Sequence, residues 1–333
     1  MLGDVGRDPE ACVLSVIVVN WNTRDILRGC LQSVRDHLSE PASETIVIDN
    51  GSQDGSAEMV LADLPQVRLI RNAENLGFGP ANNQGMAAAS GEFFLLLNSD
   101  ARLVDDTPAR LVELMKRRPQ VGVAGPRLVF EGGRLQASAN RFPTLARLAF
   151  EELAFYRLLP RERSARLLLG GYWDHAEECE VDWLTGACLL VRKQVFEETG
   201  GFDASMFLYG EEVEWCHRIR ERGWVVLFAP VGEVVHLGHA TTQLFLGDAV
   251  RIDRCLLAAD RLVARWEGPA AGVLAGCVRF VGALIKLLAF SLRRLRLGAG
   301  NDDHGSNVRR YARVVMAHYA RRLAGKLPVA ARR

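Results

Sequence analysis

Apolar runs of strand length alternate with helical stretches through the first hundred residues of the chain. The apolar runs lie at residues 13–19, 44–49, 67–70 and 93–97, and helices are predicted near residues 24–38, 54–64 and 80–89. Continuous apolar runs are typical of strands covered on both faces, as in parallel sheets flanked by helices. The alternation therefore predicts an α/β fold in which right-handed crossovers connect the strands of a parallel sheet.

The fourth apolar run is followed at once by the polar sequence Asn98-Ser99-Asp100. In open α/β sheets, ligands bind at the carboxyl ends of the strands. A carboxylate at that edge can hold a divalent cation, and the cation can neutralise a diphosphate. An ordinary turn, in which Asn and Asp bond to the nearby backbone, is the alternative interpretation of these residues.

Polar and glycine-rich sequences also follow the other three runs. They are Asn20-Trp21-Asn22 after the first, Asp49-Asn50-Gly51-Ser52 after the second, and the Asn- and Gly-rich residues 72–85 after the third. Because the strand ends meet at one edge of a parallel sheet, these sequences together favour a nucleotide pocket. The absence of G-x-G-x-x-G after the first strand and of G-x-x-x-x-G-K-[ST] argues against a dinucleotide-binding fold and a P-loop.

Charge is distributed unevenly along the chain, although the net charge of its 333 residues is only +1. Residues 1–242 carry 24 basic and 34 acidic side chains, a net charge of −10, whereas residues 243–333 carry 17 and 6, a net charge of +11. This asymmetry predicts two parts with different partners, one at residues 1–242 and a basic extension at residues 243–333. An extension of this charge would be attracted to an anionic surface.

The cysteines and the N-terminal residues bear on the compartment. Seven cysteines are scattered without a C-x-x-C pair, which favours a reducing compartment and argues against a disulfide framework or a zinc site. The first eight residues are acidic where a secretion signal would be basic, so no signal peptide is predicted. We therefore expect a cytoplasmic protein.

The basic extension contains a long apolar segment at residues 269–297, with Arg279, Lys286 and Arg293 spaced seven residues apart. A helix that spanned a bilayer would place two of these cations near its middle, at a cost of about 2.5–3.5 kcal/mol each. An in-plane membrane helix with snorkelling cations is therefore predicted. Packing on residues 1–242 or on a second subunit is the alternative. Nucleic acid is not expected as a partner, because the cations alternate with aliphatic rather than stacking aromatic residues. A final basic helix is predicted at residues 306–326.

Several motifs in order resemble the family 2 glycosyltransferases, in particular the bacterial rhamnosyltransferase-like branch. They are Ser15-Val16-Ile17-Val18-Val19-Asn20, Val47-Ile48-Asp49-Asn50-Gly51-Ser52, Asn75-Leu76-Gly77-Phe78-Gly79, Leu97-Asn98-Ser99-Asp100, Asp182-Trp183-Leu184-Thr185-Gly186-Ala187, Gly200-Gly201-Phe202-Asp203, Tyr209-Gly210-Glu211-Glu212-Val213-Glu214 and Val234-Val235-His236. The resemblance extends over residues 13–242 and implies a GT-A fold, a Rossmann-like mixed sheet, here with a helical C-terminal extension. It also implies an inverting transfer of a sugar from a nucleotide-sugar to an acceptor hydroxyl.

The same resemblance implies roles for the residues at the strand ends. Asp49 would bind the base or ribose, and Asn20, Asn83 and Asn98 would line the nucleotide-sugar pocket. Asp100 and His236 would hold Mg²⁺ or Mn²⁺ against the diphosphate, with a hydrogen-bonded structural role as the alternative for the histidine. Many family members have aspartate at the position of Asn98, so the neutral amide lowers the negative charge of this site.

The glutamate cluster at residues 211–214 supplies the expected general base. Family members usually have Glu-Asp at its first two positions and use the aspartate, so Glu212 is the predicted base and Glu211 the substitute. Glutamates that simply favour a helix N-terminus are the alternative interpretation. Gly186, Trp183 and Glu214 are predicted to contact the acceptor, although a tryptophan packed in the core and an ordinary helix-face glutamate remain alternatives.

The predicted function is therefore the transfer of L-rhamnose from dTDP-rhamnose to a lipid-linked or cell-envelope glycan at the inner face of the plasma membrane. A transferase that uses a UDP-hexose and a non-catalytic nucleotide-sugar-binding relative are the alternatives. A nucleotidyltransferase is disfavoured because residues 19–22 offer no glycine- and Arg/Lys-rich phosphate loop. A homo-oligomer is compatible with the sequence.

Overall fold

The predicted strands of the N-terminal part lie side by side in one mixed sheet. The computed structural model of the chain describes residues 12–238, 247–297 and 303–323. The N-terminal part contains β1 (Leu14–Asn20), α1 (Arg24–His37), β2 (Ser43–Asp49), α2 (Ser56–Asp63), β3 (Arg68–Arg71), α3 (Phe78–Ala88), β4 (Phe93–Asn98), β5 (Ala101–Leu103), α4 (Thr107–Arg117), β6 (Val121–Val129), β7 (Leu135–Gln136), β8 (Ala139–Asn140), α5 (Leu145–Glu152), α6 (Arg161–Leu168), β9 (Cys179–Glu180), β10 (Trp183–Leu184), β11 (Cys188–Arg192), α7 (Lys193–Thr199), α8 (Glu211–Glu221) and β12 (Val225–His236). Three long helices follow, α9 (Gly247–Glu267), α10 (Pro269–Leu297) and α11 (Asp303–Leu323).

The main sheet has the strand order β3-β2-β1-β4-β11-β6-β12-β5, with β7 paired to β6 and β9 paired to β12. The first four strands are parallel, as predicted, whereas β11 runs antiparallel to both β4 and β6. β12 is parallel to β6 and antiparallel to β5, and β8 pairs with β10 in a small separate sheet. The predicted α/β class with a mixed GT-A sheet is confirmed.

Both faces of the parallel half are buried, which explains its continuous apolar strands. In β2, Val47 packs into one hydrophobic cluster with residues of α1 such as Leu27 and Leu31. Ile46 and Ile48 point the other way and form a second cluster with Ala81 of α3. Since successive side chains of a strand alternate between faces, the two clusters show that helices cover both sides of the sheet.

Strand register brings the polar residues of the strand ends to one edge. Asn20 lies opposite Asp49 in the β1–β2 pair, and Val19 lies opposite Asn98 in the β1–β4 pair. The last residue of β12, His236, lies opposite the first residue of β5, directly after Asp100. Asn20, Asp49, Asn98, Asp100 and His236, five of the six residues that the sequence analysis assigned to a nucleotide and metal site, therefore lie at the carboxyl edge of the sheet.

The described residues divide into two compact units. Residues 12–142 and 173–238 form the first, and residues 143–172 together with α9, α10 and α11 form the second. Residues 143–172 join the second unit because α5 packs on α9 and α10, with Leu148 buried among Val263, Ala271 and Ala275. The predicted boundary between residues 242 and 243 and the acidic residues 1–8 lie outside the described residues, and so does the predicted end of the last helix at residue 326.

The cationic side chains of helix α10 point in a different direction from the predicted one. Arg279 is buried and its Nη1 lies 3.2 Å from Asp260 Oδ1, and Lys286 Nζ lies 2.6 Å from Glu152 Oε2. The seven-residue spacing does place both cations on one face, but that face meets α5 and α9, where two carboxylates supply counter-charges. The expected snorkelling of Arg279 and Lys286 was therefore wrong. Among the described helices, only the segment at Pro269–Arg293 is long and apolar enough to cross a membrane.

Candidate active site

The fully buried Asn20 joins the ends of β1 and β2. Its Nδ2 donates to Asp49 Oδ1 at 3.4 Å and to Ser52 Oγ at 3.2 Å. Its Oδ1 accepts a hydrogen bond from Thr23 Oγ1 at 2.7 Å, and that hydroxyl lies 3.3 Å from Ser99 Oγ. Because these bonds use both ends of the amide, Asn20 fixes the positions of the residues around it.

Asp49 is nearly fully buried at the end of β2. Besides the Asn20 amide, its carboxylate accepts a hydrogen bond from the backbone N–H of Ser52, at 3.2 Å from Oδ2. A carboxylate offers about four lone-pair sites, so these two bonds leave acceptor capacity for a hydroxyl or amide of a ligand.

Asn50 holds the loop after β3 against the end of β2, a role that the sequence analysis did not assign. Its Nδ2 donates to Asn75 Oδ1 at 2.9 Å, and its Oδ1 accepts from Asn72 Nδ2 at 3.0 Å and from the backbone N–H of Leu76 at 3.1 Å. The following Gly51 has φ +79°, and an added Cβ would lie 2.9 Å from the backbone of the same loop. The repeated asparagines at these strand ends are the sequence signal of this network.

Asn83 uses its amide on the backbone of a distant loop. Its Nδ2 donates to the carbonyl of Phe202 at 2.8 Å, and its Oδ1 accepts from the N–H of Phe202 at 2.9 Å. This pair of bonds ties α3 to the loop before α8. The predicted nucleotide contact of Asn83 stays a prediction, and in this structure its side chain orients the loop.

Asp100 and His236 form a buried pair beside Asn98. His236 Nε2 lies 3.1 Å from Asp100 Oδ1 and 3.4 Å from Asn98 Nδ2. On the other side of the ring, Nδ1 donates to Gln136 Oε1 at 2.9 Å. The Nε2 atom therefore faces the Asp100 carboxylate and the Asn98 amide, while Gln136 holds the ring at Nδ1.

This pair has the donor set of a divalent-cation site, with an imidazole nitrogen, a carboxylate oxygen and an adjacent amide. Among the described residues, no group of three His, Cys, Asp or Glu side chains could hold a metal ion. A cation here would therefore use Asp100 and His236 and take its remaining ligands from a bound diphosphate, from water or from Asn98 after rotation of its amide. Mg²⁺ prefers oxygen ligands alone, so the nitrogen favours Mn²⁺.

Replacement of Gln136 tests whether the orientation of the imidazole matters. We expect Gln136→Leu to weaken Mn²⁺ binding by about 10–100-fold, because the group that orients a metal-binding imidazole is lost. Gln136→Glu keeps an acceptor at Nδ1 and is the matched control, with affinity near that of the unmodified protein. Titration with Mn²⁺, followed by the paramagnetic signal of the free ion, measures both; equal affinities for all three proteins would exclude this role.

Glu211 and Glu212 begin α8 directly after Gly210, whose φ of +89° turns the chain into the helix. The preceding loop rests on the start of α3: the N–H of Phe78 donates to the carbonyl of Phe207 at 3.2 Å. Glu211 is buried, Glu212 is half-buried, and the Oε2 atom of each has no hydrogen-bond partner among the described residues. Two unpaired carboxyl oxygens at a helix N-terminus are costly unless they have a ligand.

The pKa values of both glutamates are displaced upward. Burial raises the pKa of Glu211 well above its usual range, and the charge of Glu212 raises it further. Burial also raises the pKa of Glu212, although hydrogen bonds from the backbone oppose the change. A general base works best when its pKa lies near the operating pH, so the environment of both side chains suits proton abstraction.

The displaced pKa of Glu211 predicts a pH-dependent stability. Its carboxyl binds a proton more tightly in the folded than in the unfolded chain, so the free energy of unfolding falls as pH rises from the usual value of 4.5 through the raised pKa. We expect Glu211→Gln to raise the melting temperature at about pH 8 and to have a much smaller effect at about pH 5. Melting curves at the two pH values measure this; an equal shift at both would contradict it.

The start of α3 lies near both Gly186 and Glu211. The N–H of Asn98 donates to the carbonyl of the residue after Gly186 at 3.0 Å. A Cβ added to Gly186 would lie 3.4 Å from the ring of Phe78, which is ordinary contact, so space alone does not require glycine there. The neighbouring Gly79 would place a Cβ 3.9 Å from that of Glu211. The start of α3 therefore lies between the predicted acceptor and base residues.

The other two predicted acceptor residues have structural partners. The Glu214 carboxylate is buried and bound by Arg218, with Nη2 at 2.8 Å from Oε2, and the guanidinium also donates to the carbonyls of Thr199 and Gly201. Trp183 Nε1 donates to a backbone carbonyl at 2.8 Å, and the side chain is partly buried. The acceptor contacts of Glu214 and Trp183 remain predictions. In this structure Glu214 stabilises α8, and Trp183 stabilises the small sheet.

Comparisons with known proteins identify the family of the chain. The sequence model described as Glycosyl transferase family 2 matches residues 15–199. The chain is 28% identical over 323 residues to the N-acetylglucosaminyl-diphospho-decaprenol L-rhamnosyltransferase of Mycobacterium tuberculosis, with 85% of this chain and 95% of the relative covered. It is 23% identical over 228 residues to the low-salt glycan biosynthesis hexosyltransferase Agl10 of Haloferax volcanii, with 67% of this chain and 66% of that protein covered.

Solved structures show the same fold. The mannosyltransferase PcManGT from Pyrobaculum calidifontis, solved in complex with GDP-Man and Mn²⁺, superimposes with a TM-score of 0.57 and 17% identity. The match covers 97% of this chain and 91% of that chain. At this level of identity the similarity establishes the architecture, and the chemistry must be argued from the residues of this chain.

Proposed function

The chain belongs to the family 2 glycosyltransferases and uses a nucleotide-sugar donor, and from this premise we propose that it transfers L-rhamnose from dTDP-rhamnose to a lipid-linked glycan. The observation that carries the choice of sugar and acceptor is the similarity to the mycobacterial rhamnosyltransferase over 85% of the chain. The name of that relative specifies an N-acetylglucosaminyl diphospho-lipid as its acceptor. The proposal places the enzyme at the inner face of the plasma membrane.

Donor binding is assigned to the edge formed by β1, β2 and β4. Asp49 accepts hydrogen bonds from the base or ribose of the nucleotide, and Asn20 holds its carboxylate in place. Asn98 contacts the donor beside the diphosphate. The network around Asn50 orders the loop after β3, which forms a wall of the pocket.

Asp100 and His236 are the proposed ligands of the metal ion, and Gln136 orients the histidine. A bound Mn²⁺ would stabilise the negative charge that develops on the departing diphosphate. A proton donor on that side is then unnecessary, which leaves the acceptor hydroxyl as the group whose proton must be removed.

Glu212 is the proposed general base, and inversion at the anomeric carbon follows from a single displacement. The half-buried Glu212 carboxylate can reach an acceptor, while the neighbouring Glu211 is more deeply buried. The acceptor hydroxyl loses its proton to Glu212 as its oxygen forms the bond to the sugar and the bond to the diphosphate breaks. The burial that raises the pKa of Glu212 makes its carboxylate a stronger base.

A donor panel tests this assignment. The purified protein is titrated calorimetrically with dTDP-rhamnose, UDP-hexoses and GDP-mannose, each with Mn²⁺, with Mg²⁺ and without metal. We expect metal-dependent binding that is tightest for dTDP-rhamnose, followed by turnover when an N-acetylglucosaminyl diphospho-lipid is added. Preference for a UDP-hexose would overturn the choice of sugar, and binding without turnover on any lipid-linked acceptor would favour a non-catalytic relative.

A further inference from the structure

Helix α10 carries large apolar side chains on the outside of its unit. Val273, Val281, Leu284, Ile285, Leu288 and Leu292 are 37–62% exposed, and at about 3.6 residues per turn their positions lie on one side of the helix, named here the outer face. The exposed Cys277 lies in the same series. None of the six is polar or charged, although a helix on the surface of a soluble protein normally presents polar residues to water.

The opposite, inner face of α10 includes small residues that permit close helix contacts. A Cβ added to Gly272 would lie 2.6 Å from Ala264 of α9, and one added to Gly276 would lie 2.9 Å from the ring of Tyr319 in α11. Small residues between helices with large apolar residues outside are the usual arrangement of helices packed in lipid, where the outward side needs no polar cover.

The cations of α10 are neutralised on the inner face. The Arg279 and Lys286 ion pairs described above remove both charges from the outer face. Asp260, the partner of Arg279, also accepts from Tyr319 Oη at 3.0 Å and lies 2.6 Å from Arg322 Nη1. Charges that would oppose burial of this helix in hydrocarbon are therefore satisfied by neighbouring helices.

We propose that the outer face of α10 is immersed in the acyl-chain region of one leaflet, with the helix axis along the membrane plane. α11 packs along α10 and exposes Arg310, Arg313 and Arg321, and a spanning orientation would carry these arginines into hydrocarbon. An in-plane orientation leaves them at the aqueous side. This inference sharpens the membrane location in the proposed function, and it requires no catalytic activity.

The charge of residues 243–333 favours a lipid surface over a second copy of the chain as the partner of the outer face. Residues 243–333 have a net charge of +11, so two such units brought together at α10 would repel each other. The same charge is complementary to anionic lipid headgroups. Binding by interfacial helices combines burial of apolar side chains in the membrane with attraction to anionic lipids. Here the outer face provides the apolar side chains, and the surrounding arginines provide the positive charge.

Vesicle flotation with the full-length protein tests the proposal. Vesicles of phosphatidylcholine alone, and of phosphatidylcholine with phosphatidylglycerol, provide a neutral and an anionic surface. We expect flotation with both, stronger with the anionic lipid, and a loss of about tenfold or more for the Ile285→Lys/Leu288→Lys double variant. Leu158→Lys alters an 81% exposed leucine of the same unit outside α10 and is the matched control; it should float normally.

A fluorophore on Cys277 reports the environment directly. Cys12, Cys179 and Cys255 are replaced by serine, and an environment-sensitive dye is attached to Cys277. We expect a blue shift on vesicles and quenching by lipids labelled in their acyl chains. Binding that disappears in about 1 M salt without any spectral shift would show headgroup attraction alone and overturn insertion. A lipid-free dimer that Ile285→Lys/Leu288→Lys dissociates would assign the face to a second copy instead.

These outcomes are independent of the proposed chemistry. Donor binding, measured by calorimetry on the same variants, should be unchanged because residues 285 and 288 lie in a different unit from the nucleotide site. A protein that binds vesicles as described but no nucleotide-sugar would refute the proposed transfer reaction and leave the membrane surface intact. The reverse result would refute only the membrane surface.

Discussion

Glu212→Gln is expected to lower turnover by about 10²–10⁴-fold while leaving donor affinity within about a factor of two, because a positioned base contributes roughly 3–5 kcal/mol to the barrier. The amide has nearly the same size as the carboxylate and the same hydrogen-bonding reach, so the fold should be retained. The experiment combines steady-state kinetics on a lipid-linked acceptor with calorimetric donor titration.

Two other glutamates of α8 make the result specific. Glu221→Gln changes a 64% exposed carboxyl at the end of the same helix and should retain full activity. Glu211→Gln removes the more deeply buried carboxyl, and we expect a smaller loss of turnover than for Glu212→Gln. If the two losses were reversed, Glu211 would be the base, and turnover near the unmodified level in both would exclude the cluster from proton transfer.

The pH profile provides a second readout of the base. Because burial raises the pKa of Glu212, its deprotonated fraction falls at a higher pH than for an ordinary glutamate. Turnover of the unmodified enzyme should therefore decline on the acidic side as this group is protonated. Glu212→Gln should show a residual rate without that decline.

Asp100→Asn is the second substitution with a large expected effect. It replaces the carboxylate that lies 3.1 Å from His236 Nε2 with a neutral amide and leaves no anionic ligand in the pair. We expect metal-dependent donor binding to weaken by roughly 100-fold and turnover to fall by about 10²–10³-fold, since charge on the leaving diphosphate is no longer neutralised. Donor titration with and without Mn²⁺ separates the two effects.

The controls for Asp100→Asn address the metal itself. Asp63→Asn changes a half-exposed carboxylate of α2 away from the strand ends and should behave as the unmodified protein. His236→Gln removes the nitrogen ligand and should shift the preference from Mn²⁺ toward Mg²⁺, because the remaining ligands are oxygen atoms. Donor affinity that is identical with and without metal in the unmodified protein would exclude the cation site.

The nucleotide edge was predictable because its signals are local. The parallel strands β1, β2 and β4 each end on an asparagine or aspartate, and their pairing necessarily brings Asn20, Asp49 and Asn98 to the same edge. The direction of β11 was not predictable in the same way, because a short apolar run looks alike in either direction. The roles of individual site residues remain predictions until the substitutions are made.

The side-chain contacts that the sequence could not indicate join residues that lie far apart along the chain. Gln136 accepts a hydrogen bond from His236, which lies 100 residues later in the chain. Arg218 donates to the backbone carbonyl of Gly201, which lies 17 residues earlier. Neither contact has a periodic pattern. The inward direction of Arg279 and Lys286 depended on Asp260 and Glu152, which lie on other helices. The seven-residue spacing correctly predicted that Arg279 and Lys286 share one face of α10. It did not indicate whether that face would be covered by other helices or exposed.

The position of β12 has a consequence for biosynthesis. This strand lies between β6 and β5, inside the sheet, although it comes last in sequence among the strands of the described residues. A nascent polypeptide can pair β1 to β4 early, but it cannot bring His236 to Asp100 until nearly three quarters of the chain has been made. The proposed metal site is therefore completed late in translation, and a polypeptide that stops before β12 has an incomplete sheet and lacks one of the proposed metal ligands.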